Sequence, residues 1–441
     1  MAVSKARAAA FDILLRVEAQ ESFASDLLHS ERLDELSSPD RGLCTELVMG
    51  TLRWQSALDA DIAPHSSQKL AKLDREVLVA LRLAAYQLRH LDRIPSSAAV
   101  NESVELIKRS HKKSAVPFVN AVLRKLATAP PLDEAAEVSI ENLGSRYAHP
   151  HWIVSRWILE YGVAIAKRIC EHDQQTPGTT LRVQTPDVEE ELRACGVAVV
   201  PGQLVRDART VTSGDVTATN AFLEGRVAIQ DEASQLVALL VGSGLRILDC
   251  CAAPGGKTAF LAERNPQATI VAAELHPHRA RQMAERLRYK NVEVLTADAN
   301  SLSFGAEFDR VLVDVPCTGT GTLARNPEIK WKLSRADIRD LRSRQIAILT
   351  SSLRHVSPGG RLVYSTCSLE PEENGAVVEQ VLAEHSGFRL VDAAGRLDEL
   401  RDSGDLVWPE PASLLRGPYL RTFPGTHPCD GFFAAILERL A

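Results

Sequence analysis

The sequence predicts a parallel α/β domain in its C-terminal half, an all-helical bundle in its N-terminal third and a small α+β unit between them. Three observations carry this. Apolar residues recur at 3–4 spacing up to about residue 128, short apolar strands alternate with charged helical stretches after Gly225, and the polar motifs of that second half fall at strand ends. The division is 1–128, 140–225 and 226–441.

In the first segment the periodicity runs through Ala10-Phe11, Leu14-Leu15 and Val17, and again through Val77-Leu78, Leu81, Ala84-Ala85 and Leu88. Ser96-Ser97 after Pro95 is a candidate cap for a helix through Val100, Val104 and Ile107. Short polar turns join these stretches, as in a helical bundle. Ala129-Pro130-Pro131-Leu132-Asp133 is the clearest linker. The middle segment reads as a helix over Trp152–Tyr161 followed by β-like runs such as Thr179–Val183.

The last segment supplies five strands: Arg246–Asp249, Thr269–Glu274, Val292–Leu295, Arg310–Asp314 and Arg361–Ser365. Helices are predicted over His276–Tyr289 and Arg335–His355. In a sheet of this kind ligands sit at the carboxyl ends of the strands. At 441 residues the chain can bury two or three cores, and 45% hydrophobic with 24% charged residues is the make-up of a soluble globular protein. No apolar run approaches the ~20 residues that span a bilayer, and Met1–Gln20 carries charge throughout without a signal-peptide core, so the expected location is cytoplasmic.

A net charge of −6 does not advertise a nucleic-acid partner, but Ser66–Lys125 holds twelve Lys/Arg against five Asp/Glu, Lys108-Arg109 and Lys112-Lys113 among them. Eight Cys without a CxxC argue against a disulfide scaffold or a metal site. Cys44, Cys170 and Cys195 read as buried apolar residues. Cys250 and Cys251 read as packing and backbone residues of a turn, and Cys429 as structural.

The first strand runs into Cys250-Cys251-Ala252-Ala253-Pro254-Gly255-Gly256-Lys257-Thr258. Its glycines permit a tight turn and close backbone approach, and the helix it opens favours negative charge. The P-loop G-x-x-x-x-G-K-[ST] requires Gly where Cys251 stands, and the G-x-G-x-x-G of dinucleotide binding is absent. Glu274 ends the second strand, where an acid bonds ribose hydroxyls, and Asp298 follows the third, where it can hold an adenine amine. Such acids also cap helices, but here they follow successive strands. This set fits S-adenosylmethionine, which has a ribose and adenine but no phosphate.

Asp314-Val315-Pro316-Cys317 and Ser365-Thr366-Cys367-Ser368 each bring a thiol to the same sheet end. Methylation of a ring nitrogen needs no thiol. Carbon 5 of a pyrimidine does, because only addition of a thiolate to carbon 6 makes carbon 5 nucleophilic. An acid must meet ring N3 as the adduct forms, and Asp314 is placed for that. Spacing alone leaves open which thiol attacks.

These motifs, with Asn326–Trp331, Tyr364–Asn374 and Asp430-Gly431-Phe432-Phe433, resemble the RNA 5-methylcytosine methyltransferases, and among them the bacterial RsmB (Sun/Fmu) branch of 16S rRNA enzymes. Pro95, Val100–Leu106 and Phe118–Leu123 are similar to NusB, a helical RNA-binding fold, and Tyr147–Trp152 resembles the branch's connecting domain. The resemblance implies a Rossmann-like class I methyltransferase domain with S-adenosyl-L-methionine as cofactor and small-subunit rRNA as substrate. It implies no metal, no DNA and no membrane partner, with a monomer as the expected state. It implies Cys367 as the nucleophile, Cys317 as the thiol assisting release, and Asp314 at cofactor and cytosine. Cys251, Ala252, Ala253, Pro254, Gly255, Gly256 and Lys257 would form the methionine-side loop, and Glu274 and Asp298 the ribose and adenine acids. Relatives often carry Asp at Glu274 and Ser at Thr318. The rival readings are the same chemistry on tRNA, and a non-catalytic RNA-binding factor.

Overall fold

In the computed structural model the described residues are 3–19, 23–30, 33, 35–130, 139–185, 187–305 and 307–441. They divide into two compact units: Met1–Thr176 with Leu323–Lys332, and Pro177–Thr322 with Leu333–Ala441.

The first unit is helical. Helices Lys5–Ala19, Ser38–Arg53, Arg75–His90, Ser96–Arg109 and Val116–Thr128 enclose one core, with Phe11, Leu14, Leu47, Leu81, Leu106 and Leu123 all buried. Ser37 caps its helix by accepting from Asp40 N. Ser96-Ser97 does not cap as expected. The N-cap is Pro95, both serines lie in the first turn, and neither makes a capping bond. The linker reading falls largely on 131–138, outside the described residues; the helix before it ends at Thr128.

Leu323–Lys332 belongs to this helical unit although the chain enters and leaves it from the second. Trp331 donates Nε1 to Leu52 O at 2.6 Å, and buried Lys330 donates Nζ to Arg53 O at 2.8 Å and Ala148 O at 2.9 Å. Arg53 returns a bond to Ala324 O. Burial pulls the Lys330 amine down to about 7. The Asn326–Trp331 motif is therefore a plug in the helical core.

The second unit holds two sheets. Strands β1 (Thr180–Val183), β2 (Ala198–Pro201), β3 (Ala208–Ser213) and β4 (Val227–Ile229) pair antiparallel in the order β2-β3-β1-β4. The main sheet begins with β5 (Arg246–Asp249), β6 (Thr269–Glu274), β7 (Val292–Thr296), β8 (Phe308–Asp314) and β9 (Val356–Thr366), all parallel, in the order β7-β6-β5-β8-β9. Strands β10 (Phe388–Val391), β11 (Leu415–Arg416), β12 (Tyr419–Arg421) and β13 (Phe433–Arg439) extend it antiparallel beyond β9.

Side chains alternate across the sheet. Ile247, Leu312 and Val363 pack on one face with helices Glu232–Val241, Gly256–Arg264 and Ala393–Asp402. Leu248, Val311, Val313, Leu362 and Tyr364 pack on the other with Arg335–Leu353 and Gly375–Glu384. The chain winds outward through β5, β6 and β7, then restarts on the other side of β5 with β8. That reversal opens a crevice at the carboxyl ends of β5 and β8.

All five predicted strands form. The first two keep their ends, and the fourth and fifth begin earlier than Arg310 and Arg361 because they continue through residues the sheet also pairs. The charged helix is shorter, Pro277–Arg286. Cys44 and Cys170 are buried as expected, but Cys195 is exposed: it ends helix Val188–Ala194 on the solvent side.

Candidate active site

Every expected site residue of the second half lies at or just beyond the carboxyl end of a parallel strand. At the end of β5 the chain enters the glycine turn. Ala252 N donates to Ala273 O at 2.9 Å, and Gly255 N to Ala252 O at 2.8 Å. Gly255 has φ +102° and is packed so that an added Cβ would stand 3.0 Å from Met283 Cγ, so the turn requires glycine there. Gly256 then opens helix Gly256–Arg264, whose first backbone N–H groups have no partner within the helix. Cys251 and Ala253 are half-buried, Ala252 is buried and Pro254 is exposed. Cys250 turns into the core, where burial pushes its thiol up to about 12. That is the packing role expected of it.

Glu274 is buried at the end of β6; its Oε1 accepts from His276 N at 2.9 Å, which leaves Oε2 for a ligand hydroxyl. Asp298 stands two residues past the end of β7, exposed. Its Oδ1 accepts from Asn300 N and Nδ2, both at 2.9 Å, so it caps a short turn and leaves its second oxygen unused by these bonds.

Asp249, the first residue of the matching motif but given no role of its own there, is wholly buried under the turn. Thr258 donates Oγ1 to its Oδ2 at 2.7 Å, and its Oδ1 has no hydrogen-bond partner. Burial raises its carboxyl to about 7. The glycine cradle and two carboxylates with an oxygen to spare match a cationic nucleoside. They would repel a phosphate. The residues present fit S-adenosylmethionine.

The register pairs Asp314 with Ser365. Ser365 donates Oγ to Asp314 Oδ1 at 2.6 Å, and Lys257 reaches across from the glycine turn to donate Nζ to Asp314 Oδ2 at 2.7 Å. Burial alone would lower the Lys257 ammonium, but the Asp314 carboxylate and the Cys367 sulfur outweigh it and hold the group above its ordinary range. The ammonium also sits 5.2 Å over the Phe432 ring.

Cys317 and Cys367 leave adjacent strands, and their Sγ atoms are 3.4 Å apart. Contact with Cys367, then burial, holds the Cys317 thiol well above its ordinary range, so it keeps its proton. Two loops lock the pair. Gly321 N donates to Cys367 O at 2.8 Å, and Gly431 N donates to Gly321 O at 2.8 Å. A Cβ on Gly321 would lie 2.1 Å from Gly431 O and 2.8 Å from Cys367 O, so only glycine allows this three-way contact. The Asp430–Phe433 motif is there to supply it.

Comparison with known proteins places this geometry. The sequence profile described as 16S rRNA methyltransferase RsmB/F matches residues 237–438, that of the NusB family 4–128, and that of the RsmF/B-like ferredoxin-like domain 149–216. The chain is 36% identical to the probable ribosomal RNA small subunit methyltransferase B of Bacillus subtilis, over all of both chains. The chain belongs to the RsmB/F methyltransferase family. It is also 33% identical to the ribosomal RNA small subunit methyltransferase B of Pseudomonas syringae pv. tomato, covering 93% of this chain and 92% of that one. Among solved structures, that of PH0851 shares the fold over all of both chains, with a TM-score of 0.79 at 24% identity. The family and its NusB-like N-terminal segment are those the motifs predict. Among the described residues no helix is long and apolar enough to cross a membrane.

What the sequence motifs did not reveal is how the thiols are held. Thr318, Ser368, Gln345 and Glu373 form a buried network around them, and Lys257, expected at the methionine side of the cofactor, spends its ammonium on Asp314. The Tyr364–Asn374 motif contains Ser368 and Glu373, but nothing in its spacing shows that Glu373 turns back onto the Cys317 loop.

Proposed function

We propose that this chain is an S-adenosylmethionine-dependent RNA methyltransferase that places a methyl on carbon 5 of a cytosine in small-subunit rRNA, with Cys367 as the nucleophile. The observation that carries the reading is the 3.4 Å contact between Cys317 and Cys367 beside the Lys257–Asp314 pair, at the switch point of a fold that fits the cofactor.

Cys251 to Lys257, with Glu274, Asp298 and Asp314, would hold the cofactor, which when bound would supply an electrophilic methyl group. Cys367 as thiolate adds to carbon 6 of the base. In this reading Cys317, its thiol held above its ordinary range, keeps its proton and donates S–H to the Cys367 sulfur 3.4 Å away. Asp314 faces ring N3 and the exocyclic amine, and as negative charge develops on the ring the Lys257 ammonium at Oδ2 supplies the proton that Asp314 passes to N3. After transfer a solvent water takes the carbon 5 proton, the freed electron pair restores the carbon 5–carbon 6 double bond, and the bond from carbon 6 to Cys367 breaks with its pair on sulfur, a departure that Cys317 assists by donating S–H.

The target cytosine is unstacked to reach Cys367, at a cost of a few kcal/mol unless the site is single-stranded. The helical segment 1–128 holds the RNA backbone, 140–225 connects, and 226–441 performs the chemistry. Of the cations expected to do the holding, Lys108, Arg109 and Lys112 are ion-paired to Glu105, Asp12 and Asp74. Lys113, Arg124 and Lys125 are exposed and make no ion pair among the described residues, so they are the better phosphate contacts. The protein works as a cytoplasmic monomer on RNA rather than DNA.

The test is transfer of labelled methyl to unmodified small-subunit RNA, with nucleoside analysis. Label in 5-methylcytidine that disappears in Cys367→Ala supports the reading. Label in tRNA alone moves the substrate. Cofactor binding without transfer to any RNA would make this a binding factor.

A further inference from the structure

The thiols of Cys317 and Cys367 sit on separate loops, so their contact depends on whatever joins those loops. The residue after each cysteine is turned inward. Thr318 and Ser368 are both buried, and their hydroxyl oxygens lie 2.9 Å apart. Between them sits the carboxylate of Glu373. Its Oε1 accepts from Thr318 N at 2.9 Å and from Gln345 Nε2 at 2.9 Å. Its Oε2 accepts from Thr318 Oγ1 at 2.5 Å and from Ser368 Oγ. Gln345 also donates to Pro316 O at 2.9 Å, the residue before Cys317.

Glu373 and Gln345 are themselves 0% exposed, and no Lys or Arg pairs with Glu373 among the described residues. A buried carboxylate without a cation is costly, and only converging donors make it tolerable. Here the four donors come from the two thiol loops and from the helix behind them. The backbone of Glu373 is fixed as well, its carbonyl accepting from Tyr364 OH at 2.6 Å, a residue of β9. Asn374 extends the clamp, donating Nδ2 to Ser368 O at 3.0 Å.

We propose that Glu373 is a positioning residue for methyl transfer: its carboxylate clamps Thr318 to Ser368 and so sets the separation of the Cys317 and Cys367 thiols. The assignment rests on the reading of those two cysteines given above. Glu373 acts through its neighbours and does not touch the base.

The experiment uses the full chain with Glu373→Ala and Glu373→Gln. Three quantities are read: single-turnover methyl transfer to small-subunit RNA, cofactor affinity by calorimetry, and the rate at which diamide oxidises Cys317 and Cys367 to a disulfide. In that oxidation both thiols lose hydrogen, diamide becomes the hydrazine, and the protein mass falls accordingly. The alanine variant loses the clamp, so transfer falls on the order of 100-fold, the penalty of misplacing a reacting group by about 1 Å, while cofactor affinity holds. Disulfide formation slows with it. The glutamine variant restores most of both rates, because its carbonyl still accepts from Thr318 N and Gln345 while its amide donates to the two hydroxyl oxygens.

Wild-type transfer and wild-type crosslinking in Glu373→Ala would overturn the proposal. So would a glutamine variant as slow as alanine that still crosslinks normally, since charge rather than position would then matter. If Glu373→Ala no longer binds cofactor, Thr318→Val and Ser368→Ala decide instead. Each removes one arm and is expected to slow both rates with affinity kept; normal rates in both would overturn the clamp. Failure of the underlying reading looks different, with full methyl transfer surviving in Cys367→Ala.

Discussion

Cys317 Sγ lies 3.4 Å from Cys367 Sγ, and that contact, with burial, holds the Cys317 thiol well above its ordinary range. A protonated neighbour that donates to a sulfur makes that sulfur a better thiolate, both when it attacks and when it leaves.

The two cysteines should therefore fail differently. Cys367→Ala is expected to abolish transfer and to form no covalent RNA adduct. Cys317→Ala keeps its attacking sulfur but loses the donor that eases its departure, so a protein–RNA adduct stable to denaturing electrophoresis should accumulate. The double variant should show none. An adduct in Cys367→Ala but not in Cys317→Ala would exchange the roles.

Gly321 offers a test of the loop lock. A methyl there would stand 2.1 Å from Gly431 O and 2.8 Å from Cys367 O, both backbone atoms that cannot swing aside. Gly321→Ala should push the Cys367 loop outward and lower single-turnover transfer by roughly 100-fold. Cofactor affinity, carried by the glycine turn and the acids at β6 and β7, should be unchanged. Calorimetry beside the rate measurement separates the two.

Much of this was legible in the sequence, for a physical reason. A parallel sheet buried on both faces writes its strands as short apolar runs, so Arg246–Asp249 and Thr269–Glu274 could be read to the residue, and motifs after them had to lie at one edge. The roles of Glu373 and Asp249, though both lie in the matching motifs, were not legible. Each acts through a hydrogen-bond partner that the fold, not the spacing, brings near. The Asn326–Trp331 motif was visible but its place was not, because a segment leaving one unit to plug another carries no period of its own. Cys195 misled for the opposite reason: thiols are usually buried, and this one ends a helix in solvent.

Asp249 predicts a pH dependence. Its carboxyl titrates near 7 when folded and at its ordinary 3.8 when unfolded. Above 3.8 the unfolded chain releases a proton that the folded chain retains, so the stability this group contributes is full below that pH and is lost as pH rises through 7. Asp249→Asn removes the term. Between pH 5 and pH 8 the wild type should lose on the order of 3 kcal/mol more than the variant in the amide-exchange stability of the β5 and β6 peptides. Equal losses would mean the carboxyl is ionised in the folded protein.

Lys330 predicts the mirror image in the helical unit. Its amine titrates near 7 when folded, against an ordinary value of 10.5, because burial disfavours the charge. Below 10.5 the unfolded chain takes up a proton that the folded chain refuses until pH 7, so the contribution of this amine falls as pH falls through that window. Lys330→Met keeps the volume but leaves Arg53 O and Ala148 O without their donor, a cost of about 1–3 kcal/mol for each carbonyl. It also abolishes the titration. The destabilisation should therefore be larger at pH 9 than at pH 6, by about 3 kcal/mol. Four tryptophans, Trp54, Trp152, Trp157 and Trp331, lie in this unit and one, Trp408, in the other, so denaturation followed by tryptophan fluorescence reports on the plugged core. A gap of the opposite sign would mean that Lys330 carries its charge inside the fold and that Asp173, rather than burial, governs it.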